Sequence, residues 1–276
     1  MNRFDGKLLK PEDGYHGVLP YIMPKRTEAE VSYGDDIDIT KLMEFIDKYN
    51  AENGTKLKLF HCVCYAIGRT IYHRPKLNYF IAGRRFYERN NISLSFVCKQ
   101  QFEDYGKEVL MFMKIKEDDT IENISKQILG ETKKARTSGT NDVDKLMEFV
   151  AKLPRWFLEI FFWVLSRLEY HGIYPKSLAM GDPNYSTCLL SNLGSIKANS
   201  CYHHLSNYGT NSMMLTLGTI KKGEDKTTVD FHVSLDERIA DGFYFAKSLR
   251  LVKYLLGNPE LLFERVADPV PEELFK

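Results

Sequence analysis

The stretch Asp236-Glu237-Arg238-Ile239-Ala240-Asp241-Gly242 joins two segments of different period. Before it, Thr228-Val229-Asp230-Phe231-His232-Val233-Ser234-Leu235 alternates apolar and polar residues, the period of two that a half-buried β-strand requires. After it, Phe243, Ala246, Leu249, Val252 and Leu256 fall along one side of a helix spanning 242–256. The stretch is therefore a strand-to-helix junction, and it places Glu237, Asp241 and Gly242 together where the strand ends.

Working outward, residues 187–192, 200–206 and 212–217 read as strands like 227–235. Residues 29–39 read as a strand, after which Thr40 caps a helix carrying Leu42, Phe45, Ile46 and Tyr49 on one face up to Asn53-Gly54. A second helix over 59–73 is apolar on most sides, so it is expected to be buried, and it stops before Pro75. Strands follow at 78–82 and 86–88, turning at Gly83, then at 92–99 and 108–115 around the polar turn Glu103-Asp104-Tyr105-Gly106. A helix at 120–134 leads into a polar linker at 136–140. Residues 1–27 are punctuated by Pro and Gly. Strands and helices mixed without strict βαβ alternation predict an α/β (α+β) two-layer sandwich with a mixed sheet.

Residues 143–168 are unlike the rest. Leu146, Phe149, Val150 and Leu153 share one face, and Pro154 introduces Trp156-Phe157-Leu158-Glu159-Ile160-Phe161-Phe162-Trp163-Val164-Leu165. The run is too short to span a bilayer, which takes about 20 apolar residues. It reads as a buried helix or an oligomer contact, or else as a segment that lies on a membrane surface or roofs an acyl-chain tunnel.

The 276 residues carry a formal net charge of +1 with 27% charged and 43% hydrophobic side chains, so no basic excess marks a nucleic-acid partner. Aromatic residues reach 13%, which suits an apolar core or a ligand cleft. Cys62, Cys64, Cys98, Cys188 and Cys201 lack zinc-site spacing and read as free thiols of a reducing compartment, and no metal site is expected. The start of the chain lacks the apolar run of a signal peptide, so a cytoplasmic location is expected.

The motifs bear on acyl transfer. Glu237-Arg238-Ile239-Ala240-Asp241-Gly242 resembles the His-x-x-x-Asp-Gly signature of the chloramphenicol acetyltransferases and the catalytic domains of dihydrolipoyl acyltransferases, with glutamate in the histidine slot. Leu190-Ser191-Asn192-Leu193-Gly194-Ser195 is similar to the Ile-Ser-Asn-Leu-Gly run of the same family. Arg26-Thr27, Asp38-Ile39-Thr40-Lys41-Leu42, His73-Arg74-Pro75-Lys76-Leu77-Asn78 and Asn258-Pro259-Glu260-Leu261 extend the likeness over most of the chain, leaving 143–180 as an apparent helical insertion.

The resemblance implies one acyltransferase-like domain over 1–276 without a lipoyl domain, and a homotrimer whose active site lies between subunits. It also implies CoA or acyl-CoA as cofactor, with a small-molecule or protein acceptor. Glu237 stands for the general base, Ser191 for the oxyanion donor next to Asn192, and Asp241 for a brace paired with Arg26, Arg238 being the second candidate. Gly242 is expected to allow close helix–strand packing. His203 and His204, on the presumed strand 200–206, are candidates for the cleft. Glutamate is a weaker base than histidine at neutral pH, about 4.3 against about 6.5, and it brings negative charge to a place where an oxyanion forms. Two functions therefore stand: a CoA-dependent acyltransferase with an altered base, or a catalytically inactive relative acting as a binding or scaffolding trimer.

Overall fold

The computed structural model describes residues 1–99, 103, 108–138 and 150–275. The turn at 104–106, the linker end at 139–140 and the apolar positions Leu146 and Phe149 lie outside the described residues.

Six strands form one mixed sheet: β2 (Glu30–Asp38), β5 (Ile92–Lys99), β6 (Glu108–Ile115), β7 (Cys188–Asn192), β8 (Met213–Lys222) and β9 (Thr227–Asp236). Their order is β2-β9-β8-β7-β5-β6, with β7 parallel to both β5 and β8 and every other pairing antiparallel. A small antiparallel sheet of β1 (Gly6–Leu8), β4 (Arg85–Arg89) and β3 (Tyr79–Ala82) stands beside it. The helices are α1 (Gly14–Ile22), α2 (Thr40–Asn53), α3 (Leu59–His73), α4 (Ile121–Ser138), α5 (Arg155–His171), α6 (Lys176–Ala179) and α7 (Gly242–Gly257).

Alternation along the strands decides the layering. Phe231, Val233 and Leu235 of β9 join Met213, Leu215 and Leu217 of β8 and Val109, Met111 and Met113 of β6 in a core shared with α2, α3, α4 and α7. The intervening residues Asp230, His232 and Ser234 point to the other face, together with their register partners Thr216 and Gly34. One face of the sheet is thus apolar and covered by helices, and the opposite face is polar. The α3 helix is buried over Leu59–Ile71, as its all-round apolar sequence predicts.

Three expectations are corrected. The helix α4 continues through the predicted linker to Ser138. Residues 200–206 form no strand. Both hydrogen-bonding edges of β8 are already taken by β7 and β9, so the segment crosses the polar face and finds side-chain partners instead. Ser200 N donates to Asp230 Oδ2 (2.6 Å), Cys201 N to Thr216 Oγ1 (3.2 Å) and Leu205 N to Glu30 Oε2 (2.5 Å). Finally, α5 is not buried within the chain. Leu165 alone is fully buried, against Tyr174, Ala179 and Tyr185, with Phe161 and Leu168 partly covered beside it, while Trp156, Ile160 and Trp163 are 55–64% exposed. Among the described residues no helix is long and apolar enough to cross a membrane.

Candidate active site

Ser191 lies at the end of β7, half-buried, and its hydroxyl has no hydrogen-bond partner among the described residues. The strand closes in a 3₁₀ turn, Leu193–Ile196, where Ser195 Oγ donates to the carbonyl of Asn192 (2.7 Å). A β-carbon at Gly194 would run into the carbonyl oxygen of Gly218, so glycine alone lets this turn sit against β8. The turn therefore fixes Ser191 and Asn192 with a free hydroxyl facing the polar side of the sheet.

At the opposite end of β9, the junction is braced from within. Arg238 Nε and Nη2 donate to the two carboxylate oxygens of Asp236 at 2.8 and 2.6 Å, both side chains being at most 2% exposed, and Nη1 donates to Met23 O (2.8 Å). This fork-on-carboxylate geometry fixes both partners. Arg26 lies close by. Its Nη2 donates to Ile81 O (3.0 Å) and its Nη1 to the carbonyls of Ser206 and Asn207. Burial pushes the Arg26 guanidinium down to about 10, and the charge of Asp236 opposes that shift.

The expected pairing of Arg26 with Asp241 is thus replaced by an Asp236–Arg238 pair with Arg26 beside it. Asp241 is exposed and does a different job: its Oδ1 accepts from Tyr244 N (2.7 Å), capping α7. Gly242, its successor, has open space where a β-carbon would stand, so packing within the chain does not require glycine there. Glu237 is exposed. Its backbone N–H donates to Ala29 O (2.9 Å), and its carboxylate has no partner among the described residues.

The register measures the gap between the two motifs. Ser191 pairs with Thr216 and Thr216 with His232, so Glu237 lies five residues beyond Ser191's row and two strands across. At about 3.3 Å per residue and about 4.8 Å per strand this is roughly 19 Å. The single chain does not bring the two residues together.

His203 and His204 are exposed, with rings stacked 5.1 Å apart and the Nδ1 of His203 donating to His204 O (2.9 Å). They lie on the crossing segment between Tyr202, whose ring meets His232 edge-on at 4.3 Å, and Leu205 at the end of β2.

A polar relay on the same face was not foreseen. Ser200 Oγ stands 2.5 Å from Asp230 Oδ2 and 2.6 Å from His232 Nδ1. Burial alone would raise the Asp230 carboxyl, but hydrogen bonds from Ser200 outweigh it and hold it below the usual range. An ionised carboxylate only accepts, so Ser200 donates to Asp230 and His232 Nδ1–H donates to Ser200. The His232 ring lies where a β-carbon at Gly34 would have to be. The polar positions of the 227–235 alternation were the only signal for this relay.

No protein-family model matches the sequence and no curated protein is detectably similar to it. Solved structures are. A probable dihydrolipoamide acetyltransferase from Listeria monocytogenes superposes with a TM-score of 0.58 at 18% identity, over 91% of this chain and 94% of that one. The cubic core of a pyruvate dehydrogenase multienzyme complex gives 0.58 at 13% identity, over 90% and 88% of the two chains. The fold is the chloramphenicol acetyltransferase type. A chloramphenicol acetyltransferase itself gives 0.55 at 13% identity, covering 91% of this chain and 99% of its own. The two-layer architecture expected from the sequence is confirmed by these matches.

Proposed function

We propose that this protein transfers an acyl group from a CoA-type thioester to a nucleophilic acceptor, at a junction between two copies of the chain in a trimer. The observation that carries the reading is the pair of free groups on this fold. Among the described residues Ser191 presents an unpartnered hydroxyl at one end of the sheet, and Glu237 an unpartnered carboxylate at the other. Their separation leaves each motif in need of a partner subunit. The neighbours' acyltransferase and assembly-core character supports the same arrangement.

In this reading the acceptor's hydroxyl, amine or thiol attacks the thioester carbonyl while Glu237 takes its proton. The tetrahedral oxyanion accepts a hydrogen bond from Ser191 Oγ. Collapse breaks the carbon–sulfur bond, and the thiolate leaves with the proton from Glu237. An interface that covers Glu237 would withdraw it from water, the condition in which glutamates serve as general bases. Asp236 and Arg238 hold the junction rigid while Asp241 anchors α7.

The test begins with titration of the purified chain with CoA and acetyl-CoA, where micromolar binding corresponds to about −8 kcal/mol. Thiol release from acetyl-CoA is then followed against a panel of acceptors. Glu237→Gln is expected to lower turnover by about 10²–10⁴-fold while the oligomer stays intact, and unchanged turnover removes Glu237 as the base.

A second reading has its own support. Glu237 is solvated and the aromatic face of α5 is open, which suits a binding or scaffolding trimer that lacks chemistry. Reproducible acyl transfer by the pure protein ends that reading.

A further inference from the structure

A cleft of about 560 Å³ opens on the polar side of the sheet, between β5 and β6, the start of the chain and α6. This is the size range of small-molecule pockets. Its walls are apolar and aromatic, with Phe4, Phe112 and Met180 among them, but its charges are unbalanced. Arg89, Lys114 and Lys176 line it against a single carboxylate, Asp5. Asp5 is already held by both Nε and Nη2 of Arg3, at 2.8 and 3.0 Å.

Arg89 is the unusual member. It is buried, and among the described residues its guanidinium reaches only neutral acceptors, the carbonyls of Tyr185 and Thr210 and the Thr210 hydroxyl, beside the ring of Phe80. Its Nε has no hydrogen-bond partner among the described residues. Burial pushes this guanidinium down to about 9, with Asp5 offsetting only part of the cost. A buried cation without a full counter-charge is expensive unless something else supplies the negative charge. Of the other two cations in the cleft, Lys114 and Lys176, both are exposed and neither makes an ion pair among the described residues. Three cations around a largely apolar, aromatic wall call for a ligand with more than one negative charge and an apolar body.

We propose that this cleft binds a phosphate monoester of an apolar alcohol, with the phosphate between Lys114 and Lys176 and the apolar body along Phe4, Phe112 and Met180. A phosphate monoester carries about −1.5 to −2 charge at neutral pH, which matches the two ammonium groups, and Arg89 adds its field from the cleft wall. The proposal stands on the cleft alone and does not rest on the acyl-transfer reading.

The test is calorimetric titration of the full chain with 1-naphthyl phosphate at low ionic strength, with 1-naphthol and inorganic phosphate as the two halves of the probe. Naphthyl phosphate is expected to bind at least tenfold more tightly than either half. The double variant Lys114→Gln/Lys176→Gln should weaken it by tenfold or more, because both substitutions are at the surface and leave the fold intact. Lys48→Gln/Lys56→Gln changes the net charge equally on distant α2 and the loop after it, and should leave the affinity unchanged. The proposal is overturned by an absence of binding, by naphthol binding as tightly as its phosphate, or by equal losses in the two double variants.

Discussion

Asp236→Asn and Asp241→Asn are the same chemical change five residues apart, and the structure predicts very different costs. Asp236 is fully buried and takes both forks of Arg238, with buried Arg26 close by. Removing its charge leaves Arg238 without its ion-pair partner in the interior, and breaking a buried pair from one side costs about 3–5 kcal/mol. Asp241 is exposed and only caps α7, where asparagine caps about as well as aspartate, so its substitution costs under about 0.5 kcal/mol. With about 2.1 cal/mol/K of unfolding entropy per residue over 276 residues, the entropy at the midpoint is about 0.6 kcal/mol/K. Asp236→Asn should therefore lower Tm by about 5–9 °C and Asp241→Asn by less than about 1 °C. Calorimetric or circular-dichroism melts of the two variants decide it. A cost at Asp241 equal to or above that at Asp236 would refute the reassignment of the brace from Asp241 to Asp236 and Arg238.

Ser191→Ala should lower turnover of any acceptor found by about 10²–10³-fold with no change in melting, as loss of one oxyanion donor does; an unaffected rate would remove Ser191 from the chemistry. For Glu237→Gln the expected loss in kcat is about 10²–10⁴-fold, the range of a positioned base, read by thiol release from acetyl-CoA. Gly194→Ala should destabilise the chain and disturb the Ser191 turn, since its methyl meets the Gly218 carbonyl; a variant as stable and as active as the parent would contradict that packing. The His61 imidazole, hydrogen-bonded to Ser125 at 2.9 Å, is pushed by burial down to about 4. The folded chain thus keeps it neutral where the unfolded chain takes up a proton. The stability this gives is complete above pH ~6.5 and is lost as pH falls toward 4, with about 2 kcal/mol gone by pH 5. Urea midpoints at pH 7 and 5 should differ less in His61→Gln than in the parent, and equal differences would exclude His61 as the source.

Much of the fold was legible because period and burial are local properties. The strand 227–235 and the helix 242–256 match β9 and α7 to within one residue at each end. Where the reading failed, the reason was a partner distant in sequence. Residues 200–206 carry strand-like residues, yet β8 had no free edge to offer them. The α1 helix went unread because Gly14, Gly17 and Pro20 break its pattern, although Asp13 caps it through His16 N. Arg26 was singled out for one carboxylate and stands near another, because which of Asp236 and Asp241 turns inward depends on how the junction packs against Met23 and Ala29.

By itself the sequence determined most of the elements, among them the strand and helix on either side of the 236–242 junction, together with the two-layer sandwich and the two motifs, because side-chain periodicity and turn chemistry are written residue by residue. The tertiary structure alone decided which charges meet. It buried Asp236 with Arg238, left Glu237 and the α5 aromatics in solvent, linked Asp230, Ser200 and His232, and set Ser191 roughly 19 Å from Glu237 by register. Exposure and pairing are properties of what surrounds a side chain, and those surroundings are assembled from segments far apart along the chain.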